Sequence, residues 1–423
     1  MTSFILPVPI NTGDTAWLMI ASSLVLLMIP ALGMFEAGLL RQKNAVSVFM
    51  QIFFGLALLS VMWFTVGFSL TFGPDTGEGL TGNMDWRFLK GVSQNEGLHY
   101  APTVPGVSFA MFQMMFAVIT PLILTGAVAE RMKFSAYVLF IVAWSALIYY
   151  PLVHWIWGDG WLHTLGVVDF AGGMIIHTTT GVGGIAAALV LGRRLGFGPG
   201  IMVPHNIPLA VLGSSLLWLG WFGFNAGSAY AAGSLSGITI VNTQMASAVS
   251  CLIWVVIFWI RTRKSSVIAA INGAVAGLAG ITPASGYVGV EFAVVIGIIV
   301  GFASSLMVPV LKEKLKIDDA LDIGAVHGVS GIIGSLLVGV FANSAVNHLG
   351  INGWLFGNPG QLGAQAIGVG IAVLMGFGGT WVILKIIKAL VPIRVSPEVE
   401  EAGLDIEEHA ERAYSDEEEY GKL

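Results

Sequence analysis

Apolar runs of about twenty residues follow one another along this chain, each long enough to cross roughly 30 Å of hydrocarbon as an α-helix. Eleven such segments fall near residues 15–40, 45–72, 106–130, 134–157, 171–192, 207–228, 238–260, 267–286, 290–311, 324–343 and 363–390. Backbone in hydrocarbon must satisfy its own polar groups, so runs of this length predict an all-α polytopic membrane protein. Composition agrees: 56% of the 423 residues are hydrophobic and 10% charged, too few charges to cover a soluble surface of this size. Gly occupies 55 positions, and between membrane helices Gly lets backbones approach closely. The segments therefore read as one packed bundle.

Charge sets the expected orientation. Basic residues cluster after the odd-numbered segments: Arg41 and Lys43, Arg131 and Lys133, Arg193 and Arg194, Arg261 to Lys264, Lys312 to Lys316, then Lys385, Lys388 and Arg394. Arg412 and Lys422 lie in the tail, and Arg87 and Lys90 alone fall on the opposite side. The positive-inside rule then puts the N-terminus outside and the C-terminus in the cytoplasm, as an odd number of spans requires. The first ten residues carry no basic stretch, so no cleavable signal peptide is expected. Cys251 is the single cysteine, which rules out a disulfide within the chain. Residues 1–392 form the expected membrane domain, and 393–423 an acidic tail. From Ser396 to Leu423 the tail has 11 acidic and 2 basic residues. A run such as Asp416 to Glu419 reads as a solvated end or a site of regulation. Loop 73–105, rich in Gly and Pro, reads as an external lid or packing cover.

A repeat emerges at greater distance. His177-Thr-Thr-Thr-Gly181-Val-Gly183-Gly184 and His327-Gly-Val-Ser-Gly331-Ile-Ile-Gly334 share the pattern His-x-x-x-Gly-x-x-Gly, five helices apart. In each, the His and its glycines lie on one helical face, leaving room for another backbone. Five is odd, so a second unit (about 207–343) would be inverted relative to the first (about 15–192), with the segment at 363–390 added. Inverted repeats place substrate sites near the midplane, where the two histidines would face each other. Two other readings stay open: histidines buried for structure, and paired haem ligands. The glycine faces favour close helix approach over space for a porphyrin. No cofactor or metal site is expected. Nothing in the cytoplasmic segments suggests an enzyme's nucleophile–base pair, metal-ligand cluster or phosphate loop, and nothing points to nucleic acid.

Several stretches resemble the ammonium transporter family, related to the Rhesus proteins: Ala129-Glu-Arg-Met-Lys-Phe-Ser-Ala136, Asp169-Phe-Ala-Gly-Gly173, Gly220-Trp-Phe-Gly-Phe-Asn-Ala-Gly-Ser228, Thr282-Pro-Ala-Ser-Gly-Tyr287 and Val326-His-Gly328. The resemblance runs from about Ala16 to Tyr414. It implies a homotrimer in the plasma (inner) membrane, with one pore per subunit, taking up ammonium and methylammonium. It further implies that Phe116, Trp157 and Ser228 form an external recruitment site. Phe112, Phe116 and Phe224 would form a gate of rings, and His177 and His327 a twin-histidine pair. Asp169 would organise the external site, and Trp221 and Thr282 would lie at or near the pore. In the tail, Gly403, Asp405 and Tyr414 match the family's Gly-Leu-Asp-x-x-x-His-Gly-Glu-x-Ala-Tyr, except that Ala410 replaces its second Gly. Relatives of this kind meet a PII-type signal protein through cytoplasmic loops and tail, which makes such a partner an expectation here.

Those residue types suit the implied substrate. Cation–π contact contributes about 0.5–2 kcal/mol per ring, whereas moving a bare ion into low dielectric costs on the order of tens of kcal/mol. Aromatic rings can gather ammonium at a mouth but cannot carry its charge across. The expected solution is deprotonation, with ammonia passing the histidines and the proton relayed through them. An electroneutral ammonia channel and a sensor built on the same fold are the competing expectations.

Overall fold

The computed structural model describes residues 8–198 and 202–414. Among the described residues, ten helices are long and apolar enough to span a membrane. They are α1 (Thr12–Leu39), α2 (Gln42–Phe72), α3 (Gly106–Val128), α4 (Phe134–Thr164), α5 (Gly173–Leu191), α6 (Ile207–Gly227), α7 (Ser234–Thr262), α9 (Val290–Lys314), α10 (Gly324–Phe341) and α11 (Gly360–Leu390). The remaining apolar run forms a shorter α8 (Val267–Ile281). It stops before the expected residue 286 because Pro283 brings no N–H to continue the helical ladder, although Thr282 itself keeps helical backbone angles. Past its expected end at 157, α4 resumes for one turn, Trp161–Thr164, after a break at Gly158 to Gly160. Two short helices, α12 (Pro397–Ala402) and α13 (Leu404–His409), lie in the described part of the tail.

Close backbone contact holds the bundle together. Where α6 crosses α1, a Cβ on Gly213 would stand 2.4 Å from the Phe35 nitrogen. Where α5 crosses α10, a Cβ on Gly181 would stand 2.1 Å from both Cα and N of Gly328. No side chain fits at either point, and dispersion between packed backbones substitutes for the hydrophobic effect inside a membrane.

Both α5 and α10 open with a wide, π-type turn, Gly173–Thr178 and Gly324–Val329, which carry His177 and His327. A carboxylate serves each N-terminus. Asp169 accepts from the N–H of Gly172 (2.9 Å), Gly173 (2.7 Å), Met174 (2.7 Å) and Ile175 (3.2 Å). Asp319 accepts from the N–H of Gly324 at 2.6 Å. Helix N-termini favour negative charge through their free N–H groups and dipole.

At the end of the bundle where α1, α3, α5 and α9 finish, buried charges tie together the segments that follow α3, α5 and α9. Arg194 bridges Glu130 (2.5 Å) and Asp318 (2.7 Å), and Arg41 reaches Glu130 at 2.9 Å. Burial pushes the Glu130 and Asp318 carboxyls upward, but the guanidinium partners outweigh it and hold both below their ordinary values. Asp319 has no such partner. Burial, helped by neighbouring Asp322, raises it to about 6. The opposite end is covered by loop 73–105, where Trp86 stacks on Phe68 and Tyr100 on Phe109. His154, near the end of α4, is fully buried. Its Nδ1 lies 2.8 Å from the Thr71 carbonyl and its Nε2 3.2 Å from Asp75 in the covering loop.

Candidate functional site

A path of rings leads to the histidines. Phe116 of α3 sits 4.5 Å from Phe224 of α6, 4.9 Å from Phe112 and 5.9 Å from Trp157 of α4, measured between centroids. Each such pair contributes about 0.5–1.5 kcal/mol beyond its buried area. Phe112 and Phe116 are one turn apart on α3, which puts them on one face. Trp157 is fixed by its Nε1–H, which donates to the Asp169 carbonyl at 2.6 Å. Asp169 thereby joins the Trp157 ring to the start of α5 and needs no direct contact with a solute. Ser228, at the end of α6, donates to the Phe224 carbonyl at 3.0 Å.

Beyond Phe224 the rings continue nearly parallel. His177 lies 5.9 Å from Phe224, 5.3 Å from Trp221 and 5.2 Å from His327, with interplanar angles of 24°, 26° and 28°. Trp221 is held by its Nε1–H, which donates to Thr282 Oγ1 at 2.9 Å. The Thr282 hydroxyl in turn donates to the Leu278 carbonyl at 2.7 Å. The two histidine Nδ1 atoms are 3.2 Å apart. Neutral imidazoles can share such a contact only if one Nδ1 carries the hydrogen and the other accepts it, so the tautomers are linked. Both rings are buried, and His177 Nε2 has no hydrogen-bond partner among the described residues.

The histidines border a narrow cavity of about 20 Å³, measured for the centre of a water-sized molecule. Its wall is apolar and comes chiefly from Met28, Leu32 and Phe35 of α1, Ile119 and Ile123 of α3, and Leu217 of α6, with Ile323 at the start of α10. About one small molecule fits such a space. One wall residue is a carboxylic acid, Glu36, which is fully buried.

All the ring and histidine positions expected from the sequence are thus brought together. Three contributors were missed. Asp319 follows Asp169 at the same spacing as His327 follows His177, so the repeat itself held the signal. Glu36 is a carboxylate deep in an apolar run, a rarity in membranes that commonly marks function. Thr125, which contacts Glu36, gave no signal, because its role depends on a partner far away in the chain.

The tail residues lie on the charged end. Asp405 accepts from the N–H of Val46 (3.1 Å) and Ser47 (2.8 Å) at the start of α2. Gly403 has φ +113, and a Cβ there would meet Lys43. The Tyr414 hydroxyl contacts His205 and accepts from Asn206 Nδ2. The acidic run Asp416 to Glu419 lies outside the described residues.

A solute crossing this bundle must be small, must shed its water and must slip between rings, so the architecture defines a polytopic membrane transport protein. The Ammonium Transporter Family matches residues 16–414, and the chain belongs to that family. It is an ammonium transporter and not an enzyme. It is 49% identical to Ammonium transporter 1 of Dictyostelium discoideum, over 96% of this chain and 88% of that protein. With Ammonium transporter Amt1 of Archaeoglobus fulgidus it shares 42% identity, over 96% of this chain and 100% of the other. Among solved structures, Mep2 of Saccharomyces cerevisiae superposes with a TM-score of 0.85 at 34% identity, covering 92% of this chain and 91% of that one. A structure titled Sensor Amt Protein gives a TM-score of 0.87 at 34% identity, covering 94% and 98%.

Proposed function

We propose that the chain transports ammonium electrogenically, separating the proton from the nitrogen and carrying both. Ammonium gathers from outside at Phe116, Trp157 and Ser228, where ring faces and a hydroxyl replace part of its hydration. Below Phe116 and Trp157 it transfers a proton to His177, whose Nε2 has no other partner among the described residues. Ammonia then passes Phe224 into the apolar cavity while the proton crosses from His177 to His327. The observation that carries this reading is the pair of Nδ1 atoms 3.2 Å apart in a buried, otherwise apolar lumen. Potassium has no proton to release and no hydrogen to donate, so the same lumen refuses it.

The placement of basic residues supports an external N-terminus and a cytoplasmic C-terminus in the plasma (inner) membrane. In that frame the buried ion pairs and the docked tail face the cytoplasm. A homotrimer, methylammonium as a second substrate and a PII-type regulator remain part of this reading by family likeness.

The test is charge movement in proteoliposomes after an ammonium jump, for the parent and for His177→Ala combined with His327→Ala. A saturable current lost in the double variant is expected. Uptake of labelled methylammonium without current in the parent would make the protein a neutral ammonia channel. Silence in both assays would favour a sensor.

A further inference from the structure

Glu36 is a buried carboxyl group that the path described so far does not use. It sits one turn before the end of α1, fully buried, and shares the wall of the small cavity with His177 and His327. Its two oxygens differ. Oε1 has no hydrogen-bond partner among the described residues. It stands 3.0 Å from where a Cβ on Gly126 would be, so the glycine is what leaves it room. Oε2 lies 2.5 Å from Thr125 Oγ1.

That second contact fixes a proton. Thr125 Oγ1 also lies 2.5 Å from the Leu122 carbonyl, one turn back on α3. A threonine hydroxyl has one hydrogen, and a carbonyl has none to give. The hydroxyl must donate to Leu122, so the short contact to Glu36 closes only when the carboxylic acid donates to Thr125. No cation among the described residues is paired with Glu36, and an unpaired carboxylate in such a place would carry a large desolvation penalty. Glu36 is therefore a stored proton beside the path of ammonia.

We propose that Glu36 is the proton donor that turns ammonia back into ammonium on the cytoplasmic side of the histidine pair. This rests on the electrogenic reading above. The acid O–H turns from Thr125 toward the cavity, and ammonia there attacks its hydrogen with the nitrogen lone pair. The fourth N–H bond forms as the O–H bond breaks, and the bonding electrons stay on the carboxylate. Ammonium leaves toward the charged end of the bundle. The proton relayed through His177 and His327 then restores the acid, so one charge and one nitrogen cross per cycle. Glu36 thus joins two routes that part at His177.

The experiment compares Glu36→Gln with the parent in proteoliposomes, counting charge and labelled methylammonium in the same vesicles. Gln keeps the shape but stores no acidic proton. The ammonium-evoked current should fall about a hundredfold, the scale of a lost general acid. Methylamine uptake should fall less, so that charge per substrate drops, and Glu36→Asp should restore part of it. Unchanged current, or current and uptake falling together with their ratio intact, would overturn the proposal. A parent that takes up substrate without current would instead overturn the electrogenic reading beneath it. Should E36Q not assemble, infrared difference spectra decide. The parent should lose a protonated-carboxyl band on ammonium addition, and Thr125→Val should shift that band. No ammonium-induced carboxyl change, or a band unmoved in T125V, counts against Glu36.

Discussion

Replacing Asp169 with Asn exchanges one carboxylate oxygen for an amide that carries hydrogens, yet each oxygen receives two backbone N–H groups. Two of those donors would face another donor, at about 1–3 kcal/mol each. Asp169→Asn should therefore lower stability by about 2–6 kcal/mol and release the Trp157 ring. Thermal unfolding in detergent measures the first, and methylammonium uptake the second. A variant that melts with the parent would show that the carboxylate does not hold the start of α5. Among single residues, the sequence made legible those whose chemistry is unusual for a membrane, His177 and His327 above all. Glu36 was equally unusual but had no repeat partner to call attention to it. The proton on it follows from Thr125 and Leu122, and only the fold brings Thr125 to Glu36.

At the level of helices, the glycines of the histidine motif behave as their spacing suggested. Gly181 meets the backbone of Gly328, and a Cβ on Gly331 would lie 2.7 Å from the Gly173 carbonyl. Gly181→Ala should force α5 and α10 apart and abolish transport, with a lowered melting temperature as the accompanying sign. Normal transport in that variant would mean that the crossing can open without disturbing the histidines. The end of the tail gives the opposite sign. Ala410 adopts φ +55, a left-handed conformation that costs a residue with a Cβ roughly 1–2 kcal/mol. Ala410→Gly should relieve about 1 kcal/mol and slow hydrogen exchange in α13, while unchanged exchange would show that the tail is held elsewhere. The departure from the family pattern was visible in the sequence, but its strain was not. Helix lengths were legible because hydrocarbon thickness dictates them, whereas the early stop of α8 depended on how one proline was read.

Across the whole molecule, the charged end predicts a stability curve with two limbs. Asp319, raised to about 6, penalises the native state when ionised, so stability should rise as pH falls from neutrality through that value. Glu130 and Asp318 are held below their unfolded values of 4.5 and 3.8. Their contribution is complete above those values and disappears as pH falls through the lowered native ones. Unfolding in detergent should therefore be hottest at about pH 4.5, and Asp319→Asn should remove only the limb above it. A monotonic curve would contradict this assignment. The participants, Arg41, Glu130, Arg194 and Asp318, could be read as cytoplasmic from charge placement, but not as one network, since each follows a different helix.

The single hydrogen between the two histidine Nδ1 atoms has a consequence for timing. When a proton enters one ring and another leaves its neighbour, every bond in the pair has shifted, and its polarity is reversed. The next proton from the same side then meets an N–H instead of a lone pair. Before it can follow, both tautomers must return to their starting form, so on the proposed electrogenic reading the wire has a refractory interval that no excess of substrate can shorten.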